Sequence, residues 1–213
     1  MAALNAERPQ MKIEKTCVLL VEGPKDDEWF FRACARHLGL QDNIQILPIH
    51  GKTNLRDRLK AIKSAPKTVE FISLGVVRDA DENPGAAFQS VRDALRDAGF
   101  SVPQHLLTPA GNRPRVTVMV LPDEHSPGMV EDLCLKAVAS DGAVLCVEQY
   151  FQCLQQQGLS LPRNMSKAKV QVFLASKPEP GKRLGEAAEA GYWPWDDPAF
   201  EEVKNFLEQI CFA

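Results

Sequence analysis

The stretch Leu74-Gly75-Val76-Val77-Arg78-Asp79-Ala80-Asp81-Glu82-Asn83 decides how this chain is read. Its first half is a short apolar run without alternation, which fits a strand covered on both faces, as in a parallel sheet. The run stops at two aspartates, Asp79 and Asp81, spaced i, i+2. Residues two apart on an extended strand point to the same side, so the spacing predicts two carboxylates converging at the strand's C-terminal end. In open α/β sheets that end is where ligands bind. Two carboxylates held so close repel each other unless a proton or a cation lies between them. Hard oxygen donors of this kind suit Mg²⁺ or a similar ion. The plainer account of the same residues is a solvated strand-to-helix turn, with Asp81 or Asn83 capping the helix that follows.

Working towards the N-terminus, Ile44 to Ile49 reads as a second short strand, followed by His50-Gly51-Lys52. Thr53 or Asn54 is placed to cap a helix from Leu55 to about Ser64. Lys52 and the helical Arg56 and Lys60 form either a solvated face or a rim that faces phosphates beside the acidic site. Before them, the apolar run Thr16 to Val21 ends abruptly at Glu22-Gly23-Pro24. Asp26, Asp27 and Glu28 then open an amphipathic helix, where acids complement the positive N-terminal end. That account suffices for Asp27 and Glu28. Glu22 closes a buried strand at a Gly-Pro turn and has no capping duty, which makes it a candidate site residue.

Towards the C-terminus, Ala86 to Ala98 is an amphipathic helix and Thr117 to Leu121 another buried strand. The order β-α-β-α-β-α implies right-handed crossovers and a parallel sheet. After the loop Asp123 to Gly128, Glu131 and Asp132 fall in the first turn of an apolar helix. The helix dipole explains one acid there; two, in the same topological position as Glu22 and Asp79, mark a site. His125 reads as a loop residue. From Ala143 onward the pattern is helical. Val147, Tyr150, Phe151 and Leu154 are read as core, and Ser166 as the cap of a helix from Lys167 to Ser176. Lys167 and Lys169 lie in its first turn, against the dipole preference, a hint that something anionic faces them. The Tyr192-Trp193-Pro194-Trp195 cluster is a core anchor in the simpler reading and a base-stacking surface in the other. A last helix, Ala199 to Cys211, carries a regular apolar face.

At 213 residues the chain holds one sizeable domain, or one domain with a helical appendage. A net charge of -3 carries no global signature of nucleic-acid binding, although a local basic rim on an acidic site would not show in that sum. The longest apolar runs are strand-sized, so no membrane span is expected. The polar start Met1 to Lys15 lacks the apolar core of a signal peptide and is expected to be flexible over residues 1–14. Cys17, Cys34, Cys134, Cys146, Cys153 and Cys211 show no metal-ligand spacing and read as reduced core residues of a cytoplasmic protein.

Glu22, Gly23 and Asp26 in Val18-Leu19-Leu20-Val21-Glu22-Gly23-Pro24-Lys25-Asp26, followed in order by Asp79 and Asp81, resemble the Toprim domain. That module is shared by topoisomerases, bacterial primases, small RNA-maturing nucleases and OLD-type nucleases. The resemblance covers roughly residues 15–140, and the later part looks most like the OLD-like branch and small stand-alone Toprim-like proteins. It implies an α/β fold, a Rossmann-like parallel sheet flanked by helices over residues 15–140, with a helical C-terminal extension over 141–213 packed on it. It also implies metal-dependent phosphodiester hydrolysis of DNA or RNA with Mg²⁺ or Mn²⁺. Asp79, Asp81, Asp26, Glu131 and Asp132 would hold metal and Glu22 would act as general acid/base. Lys169, with Lys167 the next choice, would be the lysine that OLD-type nucleases carry beyond their second acidic pair. The alternative is a Toprim-fold subunit of a separate ATPase, with weak or no activity alone, since the chain has no Walker A motif. A homodimer is also compatible with the resemblance.

Overall fold

The computed structural model describes residues 11–212. Four parallel strands form one sheet in the order β2-β1-β3-β4. They are β1 (Cys17–Val21), β2 (Ile44–Pro48), β3 (Ser73–Asp79) and β4 (Arg115–Leu121). The central pair is fully buried, as apolar runs without alternation require, because helices cover both faces. The register pairs Asp79 with Leu121 and Val21 with Pro48, so the strands end together along one edge. The acids that follow β1, β3 and β4 are thereby collected on that edge.

Helix α1 (Asp26–His37) follows β1, α2 (Leu55–Ser64) follows β2 after a single 3-10 turn, and α3 (Pro84–Asp97) follows β3. Asn83 caps α3 by accepting from the Ala86 amide, and Pro84 opens it. Beyond β4 come α4 (Val130–Ala137), α5 (Gly142–Gln156), α6 (Met165–Ala175), α7 (Leu184–Glu189) and α8 (Glu201–Phe212). Helices α2 and α3 pack one face of the sheet around Val18, Leu20, Leu59 and Val76. The other face carries α1 and the C-terminal helices in one continuous core with Leu19, Phe30, Phe173 and Phe206. Gly75 makes that possible: a Cβ there would lie 2.8 Å from Leu19 and 2.9 Å from Ile210, so α8 rests directly on β3.

Several expectations shift. The apolar run that begins the Leu74–Asn83 stretch is β3, and the strand runs on to Asp79, because Asp79 still pairs in the ladder. Residues 1–10 of the stretch expected to be flexible lie outside the described residues; Ile13, at its end, is fully buried and bridges to Lys67. Tyr150 is not core: it is 48% exposed, with its ring edge-on against buried Phe151. Four cysteines are buried, whereas Cys146 and Cys153 lie on the exposed side of α5. Trp193 is buried, with its indole N–H donating to the Leu184 carbonyl, and Trp195 packs on Phe30 and Phe200, as a core anchor would. Helix α6 starts at Met165, and Asn164, not Ser166, caps it by accepting from the Lys167 amide. Among the described residues no helix is long and apolar enough to cross a membrane.

Candidate active site

The site is assembled from strand ends. Glu22 lies directly beyond β1, Asp79 is the last residue of β3, and Glu131 is in the first turn of α4 beyond β4. Asp27, in the first turn of α1, joins them. Their mutual charge is felt: Asp27, Glu22 and Glu131 all push the Asp79 carboxyl upward, and Glu131 and Glu22 do the same to Asp27.

Each of three acids has a cation of its own. Arg78, on β3 beside Asp79, donates from Nε to Glu22 Oε2 at 2.7 Å. Lys52, in the turn after β2, places Nζ 2.9 Å from Asp81 Oδ2. Lys167, on α6, places Nζ 3.7 Å from Glu131 Oε1. Among the described residues no ion pair reaches Asp27 or Asp79. Each accepts only a backbone amide, Asp27 from Gly23 at 2.6 Å and Asp79 from Val130 at 3.1 Å. The consequence is visible in their acidity. Burial, with the neighbouring carboxylates adding to it, raises the Asp27 carboxyl to about 6 from its ordinary 3.8. The same causes hold Asp79 well above the usual range. Burial also raises Glu131, partly offset by Lys167.

Asp81 departs from the simple alternation. The strand ends at Asp79, and Asp81 has φ 51°, so the extended geometry that would aim both carboxylates to one side stops a residue short. Its amide and carbonyl instead bridge Gly128, tying the β3–α3 turn to the loop before α4. Gly128 is required there. Its φ is +135°, and a Cβ would lie 2.7 Å from Asp132 Oδ2. Asp132 is occupied on both oxygens, by the Met129 amide at 2.9 Å and by the Ser166 hydroxyl, so it joins the start of α4 to the start of α6. Asp26 accepts a long bond from the Gly185 amide at 3.5 Å and adds to the negative field on Asp27 and Glu131.

Glu22, Asp79 and Glu131 are therefore brought together with Asp26 beside them, while Asp81 and Asp132 line an adjoining groove with Lys52. Lys169 is elsewhere: its ammonium lies 2.6 Å from Glu148 on α5. Arg56 pairs with Asp97 at 2.8 Å, and Lys60 is exposed on α2. Two residues at the centre were not singled out from the sequence. From the sequence Asp27 reads as a partner of the helix dipole, and Arg78 stands inside an apolar run; an arginine one position before the end of a buried strand is the available signal.

Metal fit can be judged from the donors. A buried set of carboxylates with more negative charge than its three cations neutralise is chemically suited to a hard divalent ion. Among the described residues, no three Asp, Glu, His or Cys side chains are arranged as a ready-made ion-holding group. Binding would therefore require side-chain turns, of which the Lys52–Asp81 pair is the most exposed.

Over residues 16–212 the chain matches the family model described as "Protein of unknown function (DUF3226)". A comparison with curated proteins finds no match. Among solved structures, the platinum-phased C-terminal region of the Xanthomonas campestris pv. campestris OLD protein is similar at 14% identity, covering 93% of each chain with a TM-score of 0.52. The mercury-phased form of that region gives 14% identity, 92% and 95% coverage and a TM-score of 0.46. The iodine-phased form gives 13%, 92% and 95%, and 0.48. The first of these supports a shared fold.

Proposed function

We propose that this chain, which belongs to the DUF3226 family, is a Toprim-like, metal-dependent phosphodiesterase acting on DNA or RNA. The observation that carries the reading is the buried cluster at the C-terminal edge of the sheet, where, among the described residues, no cation pairs with Asp27 or Asp79. The shared fold with the C-terminal region of an OLD protein supports it, as does the Toprim pattern of Glu22, Asp79 and Asp81. Structural ion networks also perturb carboxyl groups, but they do so by pairing, and these two are unpaired.

Asp79, Asp81 and Asp27, with Glu131, are the residues that would hold Mg²⁺ or Mn²⁺, and Asp26 and Asp132 flank them. Such an ion supplies water activation and stabilisation of the leaving oxygen. Arg78 fixes Glu22 through Oε2, so Oε1 is the oxygen that would accept the proton from an attacking water. Lys167, 60% exposed and on the cluster's open side, would offset charge on the scissile phosphate. Lys169, the first choice from the sequence, becomes the second, since it would first have to leave Glu148.

A subunit of a separate ATPase is the second reading. It is favoured by the exposed apolar face of α5, where Leu145 is 64% and Tyr150 48% exposed. The test is incubation with supercoiled plasmid, single-stranded DNA and structured RNA in Mg²⁺ or Mn²⁺, beside the Asp79→Ala, Asp81→Ala double variant. Cleavage lost in the variant supports the phosphodiesterase. Metal binding without cleavage supports the subunit reading.

A further inference from the structure

A groove of about 980 Å³ opens beside the acidic cluster, between the first turn of α3, the loop around Gly128 and the first turn of α6. We propose that this groove holds the backbone phosphates of a nucleic-acid strand, with Arg78 at its floor and Lys52 and Arg163 at its rim. The inference rests on the phosphodiesterase reading and adds the residues that would position the substrate.

Arg78 is the first argument. It is 3% exposed, it lines the groove, and Glu22 uses only its Nε. Its Nη1 is buried without a hydrogen-bond partner. A counter-charge for the acidic cluster would explain the Glu22 contact and leave that donor unexplained. A buried donor without an acceptor is costly, and a guanidinium fork matches two phosphate oxygens in one plane. Arg78 itself lines the groove, so a turn of its guanidinium would bring that donor to an acceptor there.

The walls supply a second argument. Two helices, of 14 and 11 residues, present their N-termini to the same groove. Asn83 and Asn164 each cap one amide; Pro84 has no N–H, so the uncapped first-turn amides at the groove wall are those of Met165 and Ser166, beside the positive dipole ends of both helices. Arg163 stands exposed immediately before one of them. Lys52 is 58% exposed and held only by Asp81, so a phosphate that takes Lys52 releases Asp81 towards a cation. The groove also carries Asp81, Glu82 and Asp132, so a strand should bind better once a divalent ion offsets them.

Fluorescence anisotropy with labelled single-stranded DNA and RNA of about 12 nucleotides, in Ca²⁺ or EDTA, is the test. Wild type is expected to bind more tightly in Ca²⁺, with inorganic phosphate competing weakly. Arg163→Ala should weaken binding roughly tenfold and lower the salt slope by about 1, as for one lost phosphate contact. Arg78→Lys, which keeps the charge and loses the fork, should weaken it similarly. Lys204→Ala, on α8, should leave binding unchanged. Unchanged affinity in both Arg163→Ala and Arg78→Lys overturns the proposal, as does failure of the wild type to bind either strand. Strand binding with no cleavage in any metal sinks the phosphodiesterase and leaves the groove standing. Cleavage with KM unchanged in Arg163→Ala does the reverse.

Discussion

Replacing Asp27 by Asn should stabilise the metal-free protein at neutral pH. The carboxyl is raised to about 6 from an ordinary 3.8, so its ionised form is penalised in the fold. That difference corresponds to an upper bound of roughly 3 kcal/mol, at 1.36 kcal/mol per pH unit. For a chain of this length 1 kcal/mol moves Tm by roughly 2–4 °C, so the variant should melt higher in EDTA at pH 8, by at most roughly 6–12 °C. The sign follows from linkage. Between about 4 and 6 the folded state holds a proton that the unfolded state has released, so wild-type stability falls as pH rises through that window. Burial and the neighbouring carboxylates raise Asp79 and Glu131 too, and they titrate with Asp27 as one cluster, so the fall should shrink, not vanish, in Asp27→Asn. The amide oxygen can keep the bond from the Gly23 N–H, which isolates the effect of charge. Thermal melts from pH 4 to 8 in EDTA test this directly. If Asp27→Asn melts lower than wild type at pH 8, or the two pH curves run parallel, the carboxylate cluster is not strained as described.

Arg78→Met should cost about 3–5 kcal/mol in urea unfolding, because it strands Glu22 beside the cluster, and adding Glu22→Gln should recover much of the loss; no recovery would mean that Arg78 packs and does not pair. Gly128→Ala should cost about 1–3 kcal/mol from its φ of +135° and the Asp132 contact, while Gly142→Ala, with nothing near its Cβ, should be neutral or slightly stabilising; equal effects would remove the argument for the tight Asp81–Gly128 bridge. Lys167→Ala should reduce metal-dependent cleavage by roughly a hundredfold if it meets the transition-state charge, whereas Lys169→Ala should change it less than tenfold; the reverse order would reassign the lysine.

How far the sequence carried the argument depended on whether a feature was local. Strands β1, β3 and β4 were legible as apolar runs, and Glu22, Asp79 and Glu131 as acids beyond them, because one segment contains each signal. Arg78 was not, since its partner is Glu22, just beyond the neighbouring strand and 56 residues away. Asp27 looked like a dipole partner because every first-turn acid does; its burial comes from packing at the sheet edge, which no helical period reports. The two candidate lysines differ for a geometric reason. Residues two apart on a helix point roughly 200° apart, so Lys167 meets Glu131 while Lys169 turns to α5. Asp81 shows the same limit: alternation holds only while the backbone stays extended, and its left-handed φ ends that.

The central claim is that this carboxylate cluster is a cation site, and titration calorimetry with Mn²⁺ and Mg²⁺ tests it most directly. Wild type should bind a divalent ion, release a proton from Asp27 as it does so at pH near 6, and gain thermal stability. The Asp79→Ala, Asp81→Ala double variant, if folded, should lose both the heat and the thermal shift. A wild type that takes up no divalent ion, or a double variant that binds as wild type does, would contradict the account.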